Sequence, residues 1–237
     1  MLRIEKLSKI YKNGKKAVDN LSLEVKPGDI FGFIGHNGAG KTTTLKCATG
    51  LLDFSEGEIF INGKSIKTED LECKKTMAFI PDNPDLYENM TGIQYLNFIA
   101  DIFTVSKTER EKAIKEYADA FEITSSLGDI ISAYSHGMKQ KLALISAFIH
   151  RPGLLVLDEP FVGLDPKASH TLKGFLKELC DNGGAVFFST HVLEVAEKLC
   201  NKIAIIKAGR LIACGDTAEV KGDSTLEEIF MELIDNE

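Results

Sequence analysis

The chain has 237 residues, of which 44% are hydrophobic and 27% charged, a composition typical of a soluble globular protein with one sizeable domain. Its formal net charge of −7 argues against a surface built for nucleic-acid phosphates, and no apolar run reaches the roughly 20 residues of a membrane span. Five cysteines without a CxxC pair, and an N-terminus without the pattern of a secretory leader, predict reduced thiols in the cytosol.

The N-terminal part of the chain predicts β-strands. The stretches LRIEKLSKIY and LSLEVK alternate apolar and polar residues, as half-buried strands do. By contrast, DIFGFIG is a short continuous apolar run, which indicates a strand buried on both faces of a parallel sheet. Within GEIFINGKSI, the pair Asn62-Gly63 predicts a two-residue hairpin turn.

Helical patterns dominate from about Thr91 to His150, in GIQYLNFIADIF, KTEREKAIKEYADAFEI and YSHGMKQKLALISAFIH. Strands return at LLVLD, AVFFST and KIAIIKAGRLIACG, with helices predicted between them at PKASHTLKGFLKELCDNGG and HVLEVAEKLCNK. The acidic, amphipathic tail STLEEIFMELIDNE predicts a terminal helix. The whole pattern predicts an α/β core interrupted by a mostly helical insert.

A glycine-rich loop between a predicted strand and a predicted helix carries the pattern G-x-x-x-x-G-K-[ST]. Its glycines allow backbone N–H groups to turn inward around phosphate oxygens, the lysine reaches the β- and γ-phosphates, and the next hydroxyl can ligate Mg²⁺. A plain turn with an exposed lysine is the alternative, which the strand before and the helix after disfavour. The predicted nucleotide contacts are Gly35, His36, Asn37, Gly38, Ala39, Gly40, Lys41, Thr42 and Thr43, with Lys41 also catalytic and Thr42 also a metal ligand.

Two acids, Asp158 and Glu159, end the buried strand in LLVLDEP, at the edge where ligands bind in open α/β sheets. We predict that Asp158 holds Mg²⁺ beside Thr42, and that Glu159 polarises the water that attacks the γ-phosphate. His191, just past the strand FFST, is predicted to sense the γ-phosphate. Each of these residues taken alone would be read as an ordinary strand end.

The stretch YSHGMKQ raises a separate question. Ser135 has the character of a helix N-cap, and a helix start with unpaired N–H groups can bind an anion, yet no glycine-rich loop lies nearby to complete a phosphate pocket.

A GTPase would need an N-K-x-D motif, and the nearest stretch, NKIA at Asn201, lacks the aspartate.

These motifs occur in the order found in the ATP-binding cassette (ABC) family, which the chain resembles over essentially its full length. GHNGAGKTT is similar to the family's phosphate loop, YSHGMKQK to its signature, LLVLDEP to its carboxylate strand, GLD at Gly163 to Asp165 to its D-loop, and STH to its switch histidine. The resemblance implies that Tyr11 stacks on adenine with Val18 beside it, and that Asp165 lies near the nucleotide.

The implied fold is a P-loop NTPase (RecA-like) α/β core with an N-terminal antiparallel β subdomain and an inserted α-helical signature subdomain. Residues 1–84 and 151–222 would form the core, 85–150 the helical part and 223–237 a C-terminal helix. The family also implies head-to-tail pairing, in which Ser135 and Gly137 bind ATP held by a second cassette. The implied cofactors are ATP and Mg²⁺.

Two positions depart from the family's pattern. The signature commonly reads Leu-Ser-Gly-Gly-Gln, whereas here His136 replaces the first glycine and Met138 the glutamine. A charge on His136 near the γ-phosphate at low pH is one hypothesis for its role. Asp82 stands where the family usually has a glutamine that ligates Mg²⁺, and ligation by Asp82 and a turn without a ligand both remain open.

The implied function is an ATPase subunit that drives a separate membrane permease, most simply an exporter, from the cytoplasmic face of a bacterial membrane. Leu86, Tyr87, Met90, Tyr95 and Phe98 are either anchors for a permease helix or core of the helical subdomain. The alternative is a soluble cassette ATPase that acts on ribosomes or nucleic acid, a class that usually carries two cassettes in one chain. A regulatory module without turnover is disfavoured because Lys41, Asp158, Glu159 and His191 are all present.

Overall fold

The computed structural model describes residues 1–235, which form ten strands and nine α-helices. The strands are β1 Leu2–Ile10, β2 Lys16–Val25, β3 Ile30–Ile34, β4 Glu56–Ile61, β5 Lys64–Ser65, β6 Met77–Ile80, β7 Leu154–Asp158, β8 Ala185–Thr190, β9 Lys202–Lys207 and β10 Arg210–Asp216. The helices are α1 Lys41–Ala48, α2 Asp70–Lys74, α3 Gly92–Ile102, α4 Lys107–Ala120, α5 His136–Ile149, α6 Pro166–Asp181, α7 Leu193–Leu199, α8 Thr217–Lys221 and α9 Leu226–Asp235.

The alternating N-terminal strands form a four-stranded antiparallel sheet in the order β2-β1-β4-β5. The predicted hairpin between β4 and β5 is confirmed: Asn62 and Gly63 have φ values of 52° and 82°. Both residues therefore adopt the left-handed conformation that a two-residue hairpin of this kind requires.

The continuous apolar runs form the centre of a six-stranded sheet in the order β10-β9-β3-β8-β7-β6. Strands β3, β6, β7, β8 and β9 run parallel, while β10 returns antiparallel to β9. Parallel strands end at the same edge, so the loop after β3, the acids at the end of β7 and the histidine after β8 are brought together.

Both faces of this sheet are covered, which explains why its strands are apolar throughout. Phe31 and Phe33 of β3 pack with Phe187 against the antiparallel sheet, and Ile30 and Ile34 face a second cluster formed with the helices. Because successive side chains of a strand point to opposite faces, β3 contributes to one hydrophobic layer on each side of the sheet. The α/β architecture expected from the sequence is confirmed.

Replacing Phe33 with alanine is expected to lower the free energy of unfolding by about 3 to 5 kcal/mol, because it empties a space in a fully buried aromatic cluster. Phe33 is 0% exposed, and its ring lies 5.4 Å from that of Phe187. Urea unfolding followed by circular dichroism would measure the change. Ile102→Ala, at a side chain that is 57% exposed, is the control and should shift the midpoint much less.

The helical insert begins where the sequence pattern changes, since Thr91 caps α3. Its backbone N–H donates to Gln94 Oε1 over 2.9 Å, and its hydroxyl accepts from the Gln94 N–H over 3.3 Å. Helix α5 packs against α3, α4 and β6. Its residues from Leu142 to Ile149 are all buried, so the helices share one hydrophobic core with the sheet.

The terminal helix α9 occupies Leu226–Asp235, and the last two residues of the predicted 223–237 segment lie outside the described part of the chain. Among residues 1–235, no helix combines the length and apolarity needed to cross a bilayer. All five cysteines are free thiols, and burial raises the pKa of Cys47 to about 11 and that of Cys180 to about 12.

Candidate active site

The glycine-rich loop connects β3 to α1 and is packed closely against other backbone. A Cβ atom at Gly40 would lie 2.4 Å from the carbonyl oxygen of Ala17, and one at Gly35 would lie 2.6 Å from that of Ile206. Gly40 also has a φ of 112°, a conformation that L side chains rarely adopt. Both glycines are therefore fixed by close approach of backbone, and Gly40 by its conformation as well.

Lys41 folds back over this loop, with only 6% of its side chain exposed. Its Nζ donates to the Gly35 carbonyl oxygen over 2.6 Å and lies 3.3 Å from Glu159 Oε1. A buried ammonium requires such partners. Around it lies a cavity of about 310 Å³, here termed the loop cleft, lined by Tyr11, Lys15, Ala17, His36, Asn37, Gly38, Gly40, Lys41, Thr42, Thr43, Asp82 and Glu159.

The two acids at the end of β7 have different surroundings. Asp158 is 2% exposed, and its Oδ1 accepts a hydrogen bond of 2.5 Å from the Ser189 hydroxyl. The same hydroxyl oxygen accepts from the Glu159 N–H over 3.0 Å. Ser189 of β8 thus fixes both acids. It was not among the predicted site residues, although its place in FFSTH was a usable signal.

Glu159 is held between two of the predicted catalytic residues. Its Oε1 faces Lys41, and its Oε2 lies 3.0 Å from His191 Nδ1 and accepts from the His191 backbone N–H over 3.3 Å. Glu159 has a φ of 49°, in the left-handed region, so the chain turns sharply after β7. The three residues Lys41, Glu159 and His191 therefore form one connected group at the edge of the sheet.

At the other end of the loop cleft, Tyr11 is 39% exposed, and its hydroxyl lies 3.2 Å from Thr43 Oγ1. Val18, which is predicted to lie beside Tyr11 at the nucleotide, does not line the loop cleft. Val18 is 0% exposed and belongs to the core under the antiparallel sheet, whereas Ala17 lines the cleft. The register between β1 and β2 shifts between Val18 and Lys16, and Ala17 is the β2 residue that faces the cleft.

Asp82 lies on the wall of the loop cleft, in the segment that leads from β6 to the helical insert. The structure therefore brings this segment to the same cavity as Thr42 and Glu159. Metal ligation by Asp82 stays a prediction.

Ser135, Gly137 and Asp165 do not line the loop cleft of their own chain. Ser135 caps α5 and accepts from the Met138 N–H over 3.3 Å, while Asp165 caps α6 and accepts from the Ala168 N–H over 2.8 Å. Lys141 lies 2.8 Å from Asp165 and holds the pKa of that carboxyl below its usual range. These residues form a second surface, separate from the cleft.

The C-terminal helix also reaches the phosphate loop, a contact that no sequence motif indicates. The rings of His36 and Phe230 lie 4.9 Å apart, and Phe230 is only 6% exposed. Glu197 of α7 holds the start of this helix by accepting from the Leu226 N–H over 3.1 Å, and it also pairs with Lys221 at the end of α8 at 2.9 Å.

Phe230→Ala is expected to weaken nucleotide binding about two- to tenfold, because a loop that loses its support must be ordered again on binding. Titration with a fluorescent ATP analogue would measure the dissociation constant. Met231→Ala is the matched control, since its side chain is next in sequence and 51% exposed. Equal affinities for Phe230→Ala and the unmodified chain would contradict the prediction.

Comparison with known proteins agrees with this geometry. The sequence profile described as ABC transporter matches residues 18–162. The ABC-type transporter ATP-binding protein EcsA of Bacillus subtilis is 35% identical over 219 residues, covering 90% of this chain and 89% of that protein. The linearmycin resistance ATP-binding protein LnrL of the same organism is 34% identical over 221 residues, covering 93% and 70%.

Two solved structures have the same fold. The first, an ATP-binding subunit of an ABC transporter, superposes with a TM-score of 0.94 at 32% identity and covers 99% of each chain. The second, a dimeric post-hydrolysis state of an ATP-binding cassette bound to ADP and phosphate, gives a TM-score of 0.83 at 24% identity, covering 92% of this chain and 99% of that one. The chain belongs to the ABC transporter family and is an ABC-type ATPase domain.

Proposed function

We propose that this chain binds Mg-ATP in the loop cleft and hydrolyses it as one half of a head-to-tail pair that drives a membrane permease. The observation that carries the proposal is the connected group of Lys41, Glu159 and His191 at the edge of the parallel sheet. A phosphate loop, a carboxylate and a histidine at one edge are what phosphoryl transfer to water requires.

On this proposal the loop residues Gly35–Thr43 surround the phosphates and Tyr11 stacks on adenine. In the structure Lys41 pairs with Glu159, so an entering γ-phosphate competes for the ammonium. The exchange releases the Glu159 carboxylate from its ion pair with Lys41 and leaves it free to polarise the attacking water. His191 holds the same carboxylate from the other side. ATP binding would thereby prepare the base for hydrolysis.

The oxygen donors at the cleft fit Mg²⁺, which prefers oxygen ligands and keeps several waters beside one or two protein groups. Thr42 and the buried carboxylate of Asp158 would hold the ion, with Asp82 on the cleft wall as a further ligand. Within the described residues 1–235, no three His, Cys, Asp or Glu side chains form a metal-holding group. An ion held by these oxygen donors beside the nucleotide would neutralise phosphate charge.

The head-to-tail pairing is supported by the separation of the two surfaces. Ser135, Gly137 and Asp165 do not line the loop cleft of their own chain, and the N-terminus of the 14-residue helix α5 is exposed at Ser135 and suited to an anion. In a pair, this surface would close the cleft of the other chain over the γ-phosphate. The partner would be a second ABC ATPase subunit, either identical or related.

A groove beside the helical insert supports a permease as the second partner. This helical groove, with a volume of about 540 Å³, runs between the β6 strand end, α3 and α5, and its lining includes Leu51, Ile80, Pro81, Leu86, Ile99 and Phe103. Of the five residues proposed as anchors, Leu86 and Tyr95 are buried, Met90 packs against the core, and Tyr87 and Phe98 are exposed. Of the two alternatives left open by the sequence, core packing therefore applies to Leu86, Met90 and Tyr95, while Tyr87 and Phe98 are available as anchors.

The rings of Tyr87 and Phe98 meet edge to face at 5.4 Å, and Ile102 and Leu71 are 57% and 63% exposed. An apolar groove next to exposed apolar side chains suits a short amphipathic helix of a membrane protein. The protein would then act at the cytoplasmic face of a bacterial membrane. Its similarity to a resistance protein favours export, and its acidic charge disfavours nucleic acid as a partner.

Affinity purification of the tagged chain from native membranes in mild detergent would test the proposal. A multispan protein at stoichiometric amounts is the expected result, and it should be lost in the Tyr87→Asp/Phe98→Asp variant. Met231→Asp, which also adds a charge at an exposed apolar side chain, is the control and should retain it. Ribosomal or DNA-repair proteins in place of a membrane protein would support the soluble alternative instead.

A further inference from the structure

The ring of His136 lies on the D-loop of its own chain. Gly163 has a φ of +80°, and a Cβ atom built there would lie 2.7 Å from His136 Cδ2 and 3.0 Å from Nε2. The ring edge therefore occupies the place where any side chain at position 163 would be. This contact exists because the signature carries a histidine at a position where the family resemblance gives a glycine.

Two further contacts connect the same segments. A Cβ atom at Gly137 would lie 3.0 Å from the Gly163 carbonyl oxygen, so the backbones themselves approach closely. Lys141, one helical turn further along α5, pairs with Asp165 at 2.8 Å, and 14% of its side chain is exposed. The start of α5 and the turn at residues 163–165 are thus joined at three points.

The D-loop turn has little backbone support of its own. The Leu164 N–H reaches the Phe161 carbonyl oxygen only at 3.5 Å, whereas the Val162 N–H donates to the Glu159 carbonyl oxygen over 3.1 Å. Because Glu159 begins this turn, movement of the turn would displace the catalytic carboxylate. The contacts from α5 therefore contribute to holding the turn in one conformation.

We propose that His136 is a positioning residue that packs on Gly163 and holds the signature turn and the D-loop as one rigid surface for the partner cassette. This inference rests on the proposed function only in its last part, the partner. The ring acts here through its flat shape and its packing, and a phenyl ring of the same shape should replace it.

Hydrogen exchange of the nucleotide-free monomer tests the packing directly. His136→Ala is expected to speed amide exchange in residues 161–165, and His136→Phe to restore the slower rate. His170→Ala is the matched control, because it removes an exposed histidine from α6, the helix that follows the D-loop. Exchange in His136→Ala equal to that of the parent chain would overturn the proposal.

Dimer formation tests the consequence. In a Glu159→Gln background, His136→Ala is expected to raise the dimer dissociation constant about three- to tenfold in saturating Mg-ATP, with His136→Phe near the parent value. ATP binding to the monomer should stay the same, since His136 does not line the loop cleft. Rescue by His136→Asn but not by His136→Phe would overturn the packing role in favour of a polar contact.

The two measurements separate the inference from the proposed function. If the Glu159→Gln parent does not pair at all, pairing of identical chains fails, and hydrogen exchange still decides the role of His136. If the parent pairs and His136→Ala pairs equally well with slow exchange at 161–165, the inference alone fails.

Discussion

Replacing Glu159 with glutamine is expected to lower the steady-state ATPase rate about a hundredfold to ten-thousandfold, the usual contribution of a general base. Glutamine keeps the shape and the hydrogen-bonding reach of the side chain but cannot polarise water as a carboxylate does. Because nucleotide binding remains intact, ATP should accumulate between two chains and hold them together. Phosphate release and light scattering after size-exclusion chromatography in Mg-ATP would measure the two effects.

Glu194→Gln is the matched control, since it makes the same chemical change at a glutamate whose side chain is 76% exposed and paired with Lys198. It should hydrolyse ATP at the rate of the unmodified chain. A Glu159→Gln protein that stays monomeric in saturating Mg-ATP would show that identical chains do not pair. The same variant co-expressed with a related cassette from the same cell would then show whether the partner is a different chain.

Lys41→Ala is expected to weaken ATP binding about thirtyfold to several thousandfold, because it removes a buried charge from the phosphates and leaves Glu159 without its cation. AMP should bind to Lys41→Ala as it binds to the unmodified chain, since the lysine would reach only the β- and γ-phosphates. Competition against a fluorescent ATP analogue gives both constants from one experiment. Equal losses for ATP and AMP would indicate a damaged loop and contradict the assigned contact.

Lys15→Ala provides the control for this experiment, because Lys15 also lines the loop cleft but lies outside the phosphate-loop motif. Its effect on ATP should be much smaller than that of Lys41→Ala. Lys41→Arg keeps the charge and changes its geometry, so it should bind more weakly than the unmodified chain. Together the three variants show how much of the ATP affinity depends on the charge of Lys41, on the geometry of its ammonium and on the general positive charge at the cleft.

The sequence predicted those parts of the site that can be recognised from residue type and short spacing along the chain. The phosphate loop was identified from nine consecutive residues, Gly35–Thr43, between an apolar strand and a helix. Asp158 and Glu159 were identified because they end the apolar run of the strand in LLVLDEP. The sequence placed Lys41 and Glu159 separately at the γ-phosphate, and the structure shows that they form an ion pair at 3.3 Å.

Local spacing does not say which neighbouring side chain faces a cavity. Ala17 and Val18 are adjacent on β2 and both are buried, and only the placement of the strand against the loop shows that Ala17 lines the cleft. Leu86 and Tyr87 differ in the same way, since one is buried and the other is 58% exposed. Such differences depend on packing between elements far apart in the chain.

By itself, therefore, the sequence determined the class of fold, the phosphate loop and the identity of the acids and the histidine, because these depend on residue type, short spacing and strand period. The tertiary structure decided the contacts between distant segments: Ser189 with both acids, Phe230 with His36, and His136 with Gly163. Each of these contacts joins residues at least 27 positions apart in the chain, as the numbering of His136 and Gly163 shows. Their separation leaves no periodic signal in the sequence, so packing alone brings them together.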